Sequence, residues 1–336
     1  MQRRDFLKSA ALAGVAAAAP NVHAEAQVAA TELPAASEMQ YRQLGSTGEK
    51  VSVLGLGGYH IGVQHDPAES VRLIRTAIDH GVNFMDNSWD YNDGASEERM
   101  GAALKDGYRN KVLLMTKIDG RSRQSFDTQL EQSLQRLQVD HIDLMQFHEI
   151  IRMEDPDRVF APGGAMEGAM AAKQAGKIRF IGFTGHKDPI VHLRMLEVAK
   201  QHGFHFDTLQ MPVNVMDAHF RSFGKNVIPV ANEQGIGVLA MKTLAGRAIL
   251  ASHTATAVEC IRYAMSQPVS VVITGMDSMA ILQQGLSIAA NFKPMSQTEM
   301  TSLLARTKDA AMTGQYEAFK TTSRVDGTAR NPDWLG

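Results

Sequence analysis

The feature that most restricts what this chain can fold into is an alternation. A short hairpin is expected over Met39 to Gly57, with Gly45-Ser46-Thr47-Gly48 as its turn, leading into a first strand Val51 to Leu56. Strand patterns then recur at 83–86, 112–117, 142–148, 178–183, 208–211, 237–241 and 270–274. Amphipathic helical patterns lie between and after them, at 70–80, 96–104, 125–137, 164–175, 189–201, 227–234, 256–266 and 278–289. Strands separated by helices run parallel, because the helix carries the chain back to its starting edge. Eight such units predict an α/β chain closed into a (β/α)8 TIM barrel. An open doubly wound sheet is the alternative, but it wants GxGxxG after its first strand, and Leu54-Gly55-Leu56-Gly57-Gly58 misses that spacing.

Three successive apolar strands close on titratable residues: Phe84-Met85 on Asp86, Leu113 to Thr116 on Lys117, and Ile142 to Phe147 on His148. Tyr91 follows Asp86 in a polar loop, before a helix for which Ser96 is the expected N-cap. In a parallel barrel all strand C-termini meet on one face, so these four groups are expected together. Their chemistry is coherent. A phenol is a weak acid at neutral pH. A nearby ammonium is expected to lower its pKa, a carboxylate to hold the ammonium, and a neutral imidazole to hydrogen-bond a substrate oxygen. The set suits protonation of a carbonyl oxygen while hydride reaches the carbon.

At these residues the chain resembles the aldo/keto reductase family over roughly residues 39 to 290. The resemblance rests on Gly55-Leu56-Gly57-Gly58-Tyr59, on the Asp86–Tyr91 spacing, on Lys117 ending LLMTK and on His148 ending IDLMQFH. It implies reduction of an aldehyde or ketone with a nicotinamide cofactor, Tyr91 acting as general acid with Asp86, Lys117 and His148. It also implies cofactor contacts at Gly58, Tyr59, Asp86, Thr184, Gln210, Met241, Lys242, Leu244, Gly275, Ser278 and Gln284. Thr184-Gly185 stands where the family has a Ser-Asn pair; Thr184 supplies the hydroxyl, and His186 is the candidate for the missing amide. Residues 274–285 contain no Lys or Arg for a 2′-phosphate, and Asp277 would oppose one. NADP(H) is the expected cofactor, with NAD(H) as the alternative. Tails such as residues 314–336 often fold over the pocket in this family, and Arg152, Arg158, Phe160 and Trp89 are candidates to face the substrate or cover the rim.

The N-terminus reads MQRRDFLK, then an Ala-rich apolar run and Val22-His23-Ala24. That pattern is expected to be a twin-arginine signal peptide over residues 1–24, engaging the twin-arginine export machinery and sending the protein to the periplasm. The apolar run is about half the ~20 residues a membrane span needs. A linker over 25–37, a barrel domain over 38–313 and the tail complete the expected organisation. The chain carries a formal net charge of −2; the signal holds three basic and one acidic residue, leaving −4. No basic block remains to bind nucleic acid. A single cysteine, Cys260, excludes an internal disulfide and a cysteine-rich metal site, and its apolar helical setting predicts a buried thiol. Two function classes remain: a carbonyl reductase, or a cofactor-binding sensor or partner subunit with little turnover.

Overall fold

The computed structural model describes residues 33–336; the expected signal peptide and most of the expected linker lie outside them. Among the described residues no helix is long and apolar enough to cross a membrane.

Among the described residues ten strands form in chain order: β1 Tyr41–Gln43, β2 Lys50–Ser52, β3 Leu54–Gly57, β4 Phe84–Met85, β5 Leu113–Ile118, β6 Ile142–Phe147, β7 Ile178–Thr184, β8 Thr208–Pro212, β9 Gly237–Met241 and β10 Val271–Gly275. β1 and β2 make an antiparallel hairpin. The other eight form a closed barrel in sequential order, with β10 pairing back onto β3. The expected first strand, 51–56, is therefore two elements. Val51 and Ser52 belong to the hairpin, and the chain re-aims at Val53 before entering the barrel. The expected helix at 227–234 forms as Ile228–Glu233, preceded by a separate short helix, Phe223–Asn226.

Two apolar layers follow from the strand period. Phe84, Leu113, Met115, Leu144, Leu239, Val271 and Ile273 fill the barrel interior, and Leu44 and Val51 of the hairpin pack into the same cluster. The hairpin thus plugs the end of the barrel away from the strand C-termini. The opposite strand faces pack on the surrounding helices through a larger cluster that includes Leu54, Leu114, Met145, Ile181 and Leu209. Burial of each such side chain contributes about 1.5–3 kcal/mol.

The helix expected to be capped by Ser96 begins one residue earlier, at Ala95–Ala103, with Gly94 as N-cap. Gly94 adopts φ 92, and a side chain there would strike Arg136, so only glycine fits. Ser96 instead donates its hydroxyl to the Gly58 carbonyl at 2.7 Å. Cys260 is buried, as expected, and burial pushes its thiol up to about 12.

Candidate active site

Local sequence places each side chain at the C-terminal rim of the barrel. Asp86 is the first residue past β4, and its backbone N–H is held by the Leu56 carbonyl at 2.9 Å. Gly58 lets this segment lie close, because a Cβ there would collide with the Asp86 carbonyl. Tyr91 stands in a short turn followed by two left-handed residues, Asn92 and Asp93, with φ 54 and 55. Such backbone is costly for non-glycine residues and persists only where the surroundings enforce it. Here the Asn92 amide donates to the Tyr59 carbonyl at 2.9 Å. Lys117 lies within β5, and His148 follows β6.

The structure brings these four together. The Lys117 ammonium donates to Asp86 Oδ1 at 2.6 Å, to the Asn87 carbonyl at 2.6 Å and to Tyr91 Oη at 3.1 Å. All three donor positions are filled. The Tyr91 ring meets His148 edge-on with centroids 5.8 Å apart, and meets Tyr59 edge-on at 5.5 Å. Lys117, Asp86 and His148 are buried.

The electrostatics overturn two expectations. The Tyr91 pKa is not lowered: burial raises it well above its ordinary value, and Asp86, Asp90, Glu149 and Asp119 add to the rise. The ammonium beside it is outweighed because Asp86 neutralises it and further carboxylates stand nearby. The expectation of a neutral His148 meets a pull in the opposite direction. Burial pulls its pKa down, but Asp90 and Asp119 prevail and push it up to about 10. Neither acid was singled out in the sequence; Asp119 shares strand parity with Lys117 just past β5, whereas Asp90 lies in a turn beyond β4, where strand parity no longer holds. His148, Asp90 and Asp119 also present ligand-type atoms within 4.8 Å of one another.

The expected cofactor side is built differently. Thr184 and Gln210 are buried at the ends of β7 and β8. Among the described residues Gln210 Oε1 has no hydrogen-bond partner, and the Thr184 hydroxyl meets only Met241 Sδ, at 4.0 Å. A buried, unpaired carboxamide oxygen beside a scarcely used hydroxyl fits the carboxamide of a nicotinamide. Lys242 is half-buried, in a left-handed conformation with φ 57, its ammonium 5.3 Å from the centre of the Phe319 ring. Burial lowers its pKa. Leu244 and Gly275 are half-buried nearby in sequence to Lys242 and at the end of β10. Gly58 is buried, Tyr59 exposed, and Gln284 exposed on the helix Met279–Ala290. Ser278, not Asp277, caps that helix, accepting from the Ile281 N–H at 3.4 Å. Asp277 instead pairs with Arg247 at 3.3 Å. An arginine from the loop after β9 thus reaches the segment 274–285, its side chain 65% exposed.

His186 does not reach for a ligand. Its Nε2 faces Asp326 Oδ1 at 2.9 Å, and burial lowers its pKa. Asp326 belongs to the tail, which crosses the rim. Glu149 accepts from the backbone N–H of Gly327 and Thr328 at 2.9 and 2.8 Å, and Asn214 donates to Glu317 at 3.0 Å. Of the rim candidates, Arg152 donates to Thr328 Oγ1 at 3.2 Å and Arg158 to the Gly336 carbonyl at 3.0 Å. Phe160 packs on His202, Phe204 and Phe206, and Trp89 on Trp334. These side chains anchor the tail or the rim.

The aldo/keto reductase family model matches residues 53–259. The uncharacterized oxidoreductase YrpG of Bacillus subtilis is 31% identical over 228 residues, 62% of this chain and 67% of that protein. The aldo-keto reductase YhdN of Bacillus subtilis is 32% identical over 216 residues, 60% of this chain and 61% of its own length. The holo form of aldo-keto reductase AKR11C1 from Bacillus halodurans superposes with a TM-score of 0.67 at 22% identity, over 80% of this chain and 96% of that one.

Proposed function

The chain belongs to the aldo/keto reductase family, and from that premise we propose that it reduces the carbonyl of a small aldehyde or ketone to an alcohol at the Asp86–Tyr91–Lys117–His148 rim. One observation carries the reading: the Lys117 ammonium joins Asp86 and Tyr91 in a single buried set, 2.6 and 3.1 Å from their oxygens. A bound reduced nicotinamide supplies hydride. Gln210, Thr184, Lys242 and Ser278 are the residues that would hold it, and Arg247, paired with Asp277, is our candidate contact for a 2′-phosphate, which supports NADP(H) with NAD(H) as the alternative.

The raised Tyr91 pKa suits this role. The phenol keeps its proton across neutral pH and releases it only to a stronger base, the alkoxide that hydride addition creates. Lys117 and His148 then face the resulting phenolate, while Asp86 fixes Lys117. Burial of the site strengthens each of these interactions by excluding water. The twin arginine of residues 3–4 supports export of a folded protein, with the cofactor carried inside it and recycled by a second substrate. Finding nicotinamide absorbance in the purified exported protein tests that step.

The function itself is tested by following oxidation of NADPH and NADH with a panel of aldehydes, ketones and quinones. Tyr91→Phe is expected to lower kcat by about 10²–10⁴ while cofactor binding is kept. Full activity in that variant would remove Tyr91 as the acid. Arg247→Ala is expected to raise KM for NADPH about five- to tenfold and leave that for NADH unchanged, as loss of an exposed phosphate contact should.

A further inference from the structure

We propose that Asp119, together with Asp90, is a positioning pair that holds His148 as a cationic imidazolium, so that the site offers a substrate oxygen a charged N–H beside the Tyr91 hydroxyl. The inference rests on the carbonyl-reductase reading and adds two residues to it.

The argument begins at one nitrogen. Asp119 Oδ1 lies 3.0 Å from His148 Nδ1, Asp90 Oδ1 3.3 Å and Ser88 Oγ 3.2 Å. Ser88 donates its own proton to Asp90 Oδ1 at 2.5 Å, so toward the imidazole it can only accept. Three acceptors and no donor converge on Nδ1, which must therefore carry hydrogen. That leaves Nε2 as the ring atom for a ligand, and it has no protein hydrogen-bond partner among the described residues.

Fixing a tautomer needs only one neutral acceptor, such as a backbone carbonyl. This site uses two carboxylates. Asp119 is buried, and its second oxygen, Oδ2, has no hydrogen-bond partner. A buried carboxylate with half its acceptors unmet is costly unless a cation faces it. The segment is also held rigid. Gln129 Oε1 accepts from the N–H groups of Asp119 and Gly120 at 2.9 and 2.8 Å. The buried Arg121 guanidinium clasps the carbonyls of Asp119, His148 and Glu149 at 2.6, 2.7 and 2.9 Å, so both partners are set by one side chain.

The charges around the ring have one prevailing sign. Asp90 comes from the loop after β4, Asp119 from that after β5, and Glu149 is the next residue in the chain. Tyr91 is a neutral phenol. Lys117 is neutralised by Asp86 at 2.6 Å, and Arg121 pairs with Asp155 at 3.2 Å. The upward shift of His148 to about 10 agrees with this balance. In the reaction, hydride adds to the carbonyl carbon, the Tyr91 O–H breaks and a new O–H forms on the product. The phenolate so formed has the Lys117 ammonium 3.1 Å from its oxygen and the His148 ring against its own ring.

The test reads the charge directly. Imidazole ¹⁵N resonances of His148, assigned with His148→Gln, are followed from about pH 6 to pH 9 in wild type, Asp119→Asn and Asp90→Asn. Wild type is expected to stay cationic throughout. Each Asn variant is expected to titrate lower by about 1–3 pH units. For Asp119→Asn, kcat/KM should fall above the new pKa, where wild type is flat. Asp90→Asn supplies the same reading should Asp119→Asn fail to fold. An ordinary titration in wild type, or one that neither variant moves, overturns the proposal. A cationic His148 in a protein that reduces no carbonyl would refute the reductase reading and leave the charge assignment standing.

Discussion

The two halves of the barrel rim are prepared to different degrees. On the β4–β6 side the proposed reacting groups are already tied to the protein: Lys117 has three acceptors and His148 Nδ1 has three, with His148 Nε2 and Asp119 Oδ2 left open among the described residues. On the β7–β10 side Gln210 Oε1 is unpaired, the Thr184 hydroxyl is scarcely used, and Lys242 makes no ion pair among the described residues. Rigid groups that act on a bond are best set in place before a ligand arrives. Groups that hold a ligand must instead leave their hydrogen-bonding capacity open. The contrast therefore reads as chemistry on one side and a berth on the other. It also predicts where stability resides, since Lys117 and Asp86 compensate each other whereas Gln210 Oε1 compensates nothing among the described residues.

The sharpest way to break this contrast is Lys117→Met. It leaves Asp86 as a buried, uncompensated carboxylate, a loss of about 3–5 kcal/mol. Denaturant unfolding should show that loss together with collapse of kcat. Unchanged stability would mean that water or another cation already serves Asp86. Gln210→Leu is the counterpart. It removes an acceptor that has no partner, so unfolding should change by less than about 1 kcal/mol. Cofactor affinity, measured by fluorescence titration, should weaken about tenfold. If Gln210→Leu instead destabilised the fold as Lys117→Met does, the division into two kinds of rim would be wrong.

How much of this could be read from the sequence follows the range of each interaction. Strands and helices show themselves in local period, so the eightfold alternation announced the barrel. Asp86, Lys117 and His148 were visible because each closes an apolar run, and the barrel's geometry gathers strand ends. What local pattern misleads about is charge state. The Tyr91 and His148 expectations failed because Asp90, Asp119 and Glu149 act across space, and no single segment shows their sum. Arg247 was missed for a similar reason: it meets Asp277 from 30 residues away in the chain. The tail was invisible in detail, since Glu149 and Thr328 are 179 positions apart. The division of 51–56 between hairpin and barrel reflects a bend within a continuous apolar run, which period alone does not mark.

The smallest predicted effect concerns how the tail closes the berth. Glu317 accepts from Asn214 and lies against the buried Lys320 ammonium, 3.0 Å away, which also donates to Asp217 at 2.7 Å. Burial raises the Glu317 pKa to about 7, more than Lys320 lowers it, and Asp217 adds to the rise. The folded chain thus binds this proton more tightly than the unfolded chain, whose glutamate titrates near ~4.3. Its contribution to stability is complete below that value and is lost as pH rises through about 7. Glu317→Gln keeps the shape and cannot ionise. The variant should match wild type near pH 4 and gain roughly 1–2 °C in Tm by pH 8, the shift expected for about 1 kcal/mol in a chain of this size. A difference that is constant with pH would show that folding leaves Glu317 unshifted, and one that turns against the variant toward alkaline pH would show that the Lys320 pair stabilises ionised Glu317. The tail would then be as fully compensated as the β4–β6 side, and the two rims would no longer differ in kind.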